Sequence, residues 1–197
     1  MMKYYIKYPV LIKALKFINQ TNPGNKNTYH NIDRLFTVFK YTTILSEQIS
    51  IKNEIELFIA ALFHDYNHLG KMGNDNLNIE KAKYTVAEFH KLFPEFNLDI
   101  VHYLIDCTEY PYTVKDKALT IEGKMIRDAD MSYILEDISI VKLYYGLRNE
   151  FDQTLETFLD NQTNFLSNVK FYTPYLQNIW NSIKEDKLYE IELLKNK

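Results

Sequence analysis

One cysteine, five glycines and five prolines in 197 residues exclude several kinds of protein. The lone Cys107 allows no intramolecular disulfide and no cysteine-based zinc cluster, and it fits a reducing compartment. So few Gly and Pro cannot supply the turns of a sandwich of short strands, and instead fit long helices. No apolar run reaches the roughly 18 residues of a membrane span. The start, Met1-Met-Lys-Tyr-Tyr-Ile-Lys-Tyr-Pro9, has no signal-peptide apolar region, so a cytoplasmic location without a membrane partner is expected. The formal charge is −3 with no basic stripe, so binding to a nucleic-acid backbone would gain little from counterion release. Hydrophobic residues make up 46% of the chain, which excludes disorder. The length suits one domain over residues 1–197 and is tight for two.

Periodicity places the elements. Pro9 to Asn19 reads as a helix, and Gln20 to Asn27 as a loop by its turn chemistry. A second helix is expected from near Thr28 to Ser46, with Ile32, Leu35, Phe36, Phe39 and Ile44 as its apolar stripe. A third, from near Lys52, is apolar nearly all round and belongs at the centre of a domain. It stops at His64-Asp65. Asn67 to Asn76 reads as a loop. A helix then runs to Phe93, with Asn76 or Asn78 as N-cap and Pro94 as its stop. Asn97 can cap a helix reaching Thr108, and Tyr110-Pro111-Tyr112-Thr113 is a turn. A helix follows from Leu119 through Met131. Two or three amphipathic segments fill residues 133–197, with a break near Thr173-Pro174. The fold class is all-α.

Three segments set polar groups beside apolar residues that must face the core: Tyr29-His30-Asn31, His64-Asp65-Tyr66-Asn67-His68, and Arg127-Asp128-Ala129-Asp130-Met131-Ser132. Packing alone has no use for such groups, since burying an unpaired neutral polar group costs roughly 2–7 kcal/mol. A cation removes that cost. Imidazole nitrogen and carboxylate oxygen are the usual ligands of zinc, manganese, iron or nickel, and helix ends can assemble such a site.

In order and content these segments resemble the HD superfamily of metal-dependent phosphohydrolases. Within it they are most similar to the catalytic domain of cyclic nucleotide phosphodiesterases. Those enzymes carry Tyr-His-Asn, then Ala-Leu-x-His-Asp-x-x-His-x-Gly, then Ala-Asp-Leu-Ser. This chain has Tyr29-His30-Asn31, then Ala61 through His64-Asp65 and His68 to Gly70, then Ala129-Asp130-Met131-Ser132. The match covers roughly residues 28–135. The resemblance implies a single compact HD-type domain in which His64, Asp65 and Asp130 ligate a first divalent metal. Asp65 would bridge to a second, magnesium or manganese, held mainly by waters. His68 would hydrogen-bond the bridging water, and His30 would protonate the leaving alkoxide. Asn31 would support the substrate side. The expected substrate is a small nucleotide or other phosphate ester, attacked by a metal-bound hydroxide.

One position departs from the pattern. The family's further metal-binding His, four residues after that of Tyr-His-Asn, is here Arg34. A guanidinium stays charged and does not ligate metals. Three outcomes are open. His30, one turn away on the same helix face, takes the missing place. Or three protein ligands plus water hold the metal weakly. Or Arg34 supplies the cation's charge, pairs with Asp65 or Asp130, and leaves a pocket that binds phosphate or a protein partner without hydrolysis.

Other polar residues have plainer readings. Asp128 reads as a solvated or capping carboxylate, with Asp130 preferred in the site. His90 and His102 carry no role. Glu80 falls where related enzymes keep a Glu near the second metal, and helix capping explains it equally. Thr108 closes a helix, and Cys107 packs. Phe165, Phe171, Tyr172, Tyr175 and Trp180 read as core rather than a base-stacking clamp, with a nucleobase pocket drawing on them as the alternative. Gln177 is no convincing counterpart of the glutamine that clamps the purine in phosphodiesterases.

Overall fold

The computed structural model describes residues 2–73 and 75–195, and among them there are only helices, turns and connecting loops, with no strand. At the centre lies α4, Glu54–Phe63, in which every residue from Leu57 to Phe63 is buried. A helix apolar all round must be packed on every side. The elements around it are α2 (Val10–Thr21), α3 (Ile32–Gln48), α5 (Asp75–Leu92), α6 (Leu98–Asp106) and α7 (Ile121–Met131). A short α1, Met2–Lys7, lies before them and buries only Tyr4. Its six residues are too few to show a helical period, and sequence reading passes over it.

The expected helices over 52–63, 97–108 and 119–131 are present. Asn97 caps α6, its side chain accepting from the amides of Asp99 and Ile100 at 3.0 and 3.2 Å. Thr120 caps α7 through the amide of Gly123. Two expected starts need correction. The second helix begins at Ile32, not near Thr28, because Asn31 is its N-cap: the carboxamide accepts from the amide of Asp33 at 3.0 Å. His30 is therefore outside the helix and shares no helix face with Arg34. Helix α5 already includes Asp75, so Asn76 and Asn78 lie inside it and neither caps it. The stripe of α3 is also shifted. Leu35, Val38, Phe39, Tyr41 and Leu45 are buried, whereas Phe36 is exposed, about 100° round the helix from Leu35.

The last third is more broken than expected. A 3₁₀ turn (Ser132–Leu135), α8 (Ser139–Lys142), a π turn (Leu143–Leu147) and α9 (Arg148–Glu150) precede α10 (Leu155–Asn168) and α11 (Pro174–Lys195). The break at Thr173-Pro174 is present, with Pro174 in the first turn of α11, where its missing N–H costs nothing. One hydrophobic core joins residues from Tyr4 to Ile191. Among the described residues no helix is long and apolar enough to cross a membrane.

Candidate functional site

The apolar α4 delivers His64 to its own C-terminal end. The His64 ring is almost fully buried, and its Nδ1 lies 2.9 Å from the carbonyl oxygen of Ala61. A carbonyl only accepts, so Nδ1 carries the proton, and in the neutral ring Nε2 bears a lone pair. That Nε2 stands 3.0 Å from Asp65 Oδ2 and 3.4 Å from Asp130 Oδ1, yet makes no hydrogen bond of acceptable geometry. Asp130 comes from the end of α7. One ligand atom from each of His64, Asp65 and Asp130 lies within 4.8 Å of the others.

These residues fit a divalent cation. A buried imidazole nitrogen without a hydrogen bond, with the other ring nitrogen held by a backbone carbonyl, is the usual presentation of a histidine ligand, and the two carboxylates supply the compensating charge. The electrostatics agree. Burial opposes charge on His64, but Asp65 and then Asp130 outweigh it and push the ring up to about 10. Burial likewise opposes ionisation of Asp65, and attraction to His64 holds it well below the usual carboxylate range. The centre demands positive charge at Nε2.

Arg34, in the first turn of α3, enters this centre directly. Its Nη2 donates to both the carboxylate and the backbone oxygen of Asp130, and its Nε lies 3.9 Å from Asp65 Oδ2. The guanidinium carbon lies 4.6 Å from the ring centre of Tyr133 and 5.6 Å from that of Tyr29. Nε and Nη1 are buried with no partner, each at a cost of roughly 1–3 kcal/mol.

His30 does not join the triad. Its Nδ1 is 2.5 Å from Glu150 Oε1, and the other carboxylate oxygen accepts from the amides of Tyr29 and His30 at 2.7 and 3.0 Å. Burial alone would raise Glu150, but the hydrogen bond and charge of His30 hold it below its ordinary value. His68 stacks on His30, ring centres 3.6 Å apart and 16° between planes. Its Nδ1 accepts from the amide of Gly70 at 3.0 Å and lies 3.7 Å from Glu150. Burial first, and His30 next, lower His68 to about 4, so it is neutral at pH 7 with its proton on Nε2. His30, His68 and Glu150 also lie close enough for one ion. However, the His68 Nδ1 lone pair is already used, and stacked rings send their in-plane lone pairs side by side. The group suits proton handling: the Glu150 carboxylate accepts at His30 Nδ1 and orients the ring.

Local backbone chemistry builds this second group. Asn67 adopts a left-handed conformation (φ 59°), which Asn tolerates. The resulting turn folds His68 back beneath His30, where the Asn27 carboxamide donates to its carbonyl at 2.9 Å. Gly70, at φ 66°, has no room for a side chain: a Cβ would meet Asn27 Oδ1 at 3.2 Å and Glu150 Cγ at 3.3 Å. Gly146, in the π turn, lets that turn approach the 28–30 segment, and a Cβ there would meet the Thr28 carbonyl oxygen at 3.1 Å and Tyr29 Cβ at 3.3 Å. Gly146→Ala is accordingly expected to destabilise the protein by about 1–3 kcal/mol through overpacking, measured by urea denaturation. Unchanged stability would show that the two segments part without cost.

Asp65 and Asp130 of the first group and His30 and His68 of the second line one cavity of about 390 Å³, together with Asp75, Asn78, Tyr110, Tyr112, Gln162 and Phe165. Gln162 is buried with its Oε1 unpartnered. Gln177 does not line this cavity, and Phe165 is half-buried, packed against the core and at the cavity wall. Of the other aromatics expected as core, Phe171 and Trp180 are buried, whereas Tyr175 is exposed. Asn31 lines a neighbouring cavity of about 480 Å³ that shares Tyr29, Arg34 and Tyr133. Its amide donates to Asn27 while its oxygen caps α3.

The remaining candidates lie where their hydrogen bonds hold them. Asp128 is buried, not solvated, and accepts from the amides of Tyr172 and Thr173 at 2.8 and 2.6 Å; burial raises it to about 6 against those bonds. Thr108 donates to Ile105 and also lines the main cavity. Cys107 is buried. Glu80 is exposed and borders a different surface depression. His90 and His102 bond to the carbonyls of Phe96 and Lys83.

Glu150, Gln162 and Asn27 are the residues that motif reading misses. Gln162 and Phe165, three apart on a helix, left a signal of shared face, whereas Glu150 looks like any solvated charge. No protein-family model matches the chain, and no curated protein matches it in sequence.

Proposed function

We propose that this chain is a metal-dependent phosphohydrolase of the HD kind. Its substrate would be a nucleotide phosphoester, with a cyclic nucleotide as the favoured class. The observation that carries this reading is the buried His64 Nε2, without a hydrogen bond, facing Asp65 and Asp130, which line the same cavity as His30 and His68.

His64, Asp65 and Asp130 would hold the cation. When bound, it supplies Lewis-acid activation of water and neutralises charge developing on the phosphoryl oxygens. The chain's own groups do the rest. Nε2–H of His68 donates a hydrogen bond into the cavity and orients the attacking water. His30, held by Glu150 through Nδ1, delivers a proton from Nε2 to the leaving oxygen. Gln162 offers an amide to the edge of a planar heterocycle, and Phe165 offers a ring for its face. A second reading is favoured by one contact, that of Arg34 with Asp130: a phosphorylated ligand is bound without turnover.

The test is hydrolysis by metal-stripped protein after adding back Mn²⁺, with cyclic nucleotides, nucleoside monophosphates and an aryl phosphodiester. Metal-dependent turnover, greatest with a cyclic nucleotide, is expected. Folded protein that binds these compounds and turns over none selects the second reading.

A further inference from the structure

Arg34 is a permanent cation placed against the carboxylates that would hold a metal. Its side chain is only 7% exposed. One nitrogen is committed to Asp130, and Nε and Nη1 have no partner. Tyr133 and Tyr29 lie over the guanidinium, so the donors left to it are those in its plane. It lines the same cavity as His30, His68, Asp65 and Asp130.

The charges then fail to balance in a definite way. A divalent ion on neutral His64, Asp65 and Asp130 closes to zero, and Arg34 leaves one positive charge over, which it cannot lose. Like charge beside the ion weakens its binding. An anionic oxygen entering the cavity relieves that repulsion and gives the idle Arg34 donors an acceptor, for which a guanidinium fork is suited. Lys71 also lines the cavity but is exposed, where water screens its charge.

We propose that a divalent cation and a phosphoryl anion bind this centre cooperatively, with Arg34 as the residue that couples them. The inference rests on the reading that His64, Asp65 and Asp130 hold a cation. Coupling is reciprocal: the anion tightens the cation, and the cation tightens the anion by the same factor.

The experiment follows free Mn²⁺ by its electron paramagnetic resonance signal, titrated into the metal-stripped full chain with and without saturating inorganic phosphate. Wild type is compared with Arg34→Gln, which keeps a donor for Asp130 but no charge, and with Arg34→Lys, which keeps the charge. Phosphate is expected to tighten Mn²⁺ in wild type about tenfold or more. Arg34→Gln is expected to bind Mn²⁺ alone more tightly than wild type and to lose most of the coupling. Arg34→Lys is expected to retain it. Mn²⁺ binding that ignores phosphate in wild type, or coupling undiminished in Arg34→Gln, overturns the proposal and leaves the metal reading standing. Absence of Mn²⁺ binding under both conditions overturns the metal reading and this inference with it. Should Arg34→Gln unfold, the coupling in wild type and in Arg34→Lys decides.

Discussion

Asp65→Asn is expected to lower metal-dependent phosphoester hydrolysis by more than about a thousand-fold, since a bound metal supplies several kcal/mol of transition-state stabilisation. The substitution keeps the shape of the side chain and removes its charge. Asp65 faces His64, at 3.0 Å, and Arg34, at 3.9 Å. Without it, two nitrogens that attract a carboxylate face an amide, and a cation loses an anionic ligand. The carboxylate is directed at His64 and Arg34, so the loss should fall on chemistry. Thermal unfolding followed by circular dichroism should move little while hydrolysis disappears. Turnover retained in this variant would contradict the role given to Asp65.

His30→Ala is the second large effect. General acid catalysis is worth typically about 10²–10⁴-fold, but only where the leaving oxygen needs a proton. A ribose alkoxide needs one and an aryl oxide hardly does. The variant should therefore lose about that factor with a cyclic nucleotide and far less with an aryl phosphodiester. Glu150→Gln should fall between wild type and His30→Ala on the cyclic nucleotide, because it leaves His30 in place without the carboxylate that orients it at 2.5 Å. Equal losses on both leaving groups would assign His30 to binding or folding instead.

The parts of the fold that sequence displays are those with strong local causes. The all-apolar α4, the Asn97 cap and the Pro174 break each follow from a residue's own chemistry, and each is where the pattern places it. Errors arise where a tertiary partner decides. Asn31 spends its carboxamide on capping α3, which moves the helix start past His30. Asp75 begins a helix in which Asn78 turns inward to accept from the amide of Leu69. The candidate site divides in the same way. His64, Asp65 and His68 stand out by polarity at the end of an apolar stretch and Asp130 by the motif resemblance, and the structure brings Asp65, His68 and Asp130 to one cavity, with His64 behind them against Asp65 and Asp130. Glu150 reaches His30 across 120 residues of sequence only because a π turn and Gly146 allow close approach. No local pattern encodes that contact. The sequence offers the pairing of Arg34 with Asp65 or Asp130 as one of three outcomes, and only the fold, by bringing α3 against the end of α7, selects the bond to Asp130.

The most direct measurement is anomalous diffraction from crystals of the full chain grown with Mn²⁺ and inorganic phosphate. The expected result is a manganese peak within bonding distance of His64 Nε2 and of carboxylate oxygens of Asp65 and Asp130, with none between His30, His68 and Glu150. An ordered triad without a peak, or a peak at the His30–His68–Glu150 group instead, would contradict the assignment of the cation to His64, Asp65 and Asp130.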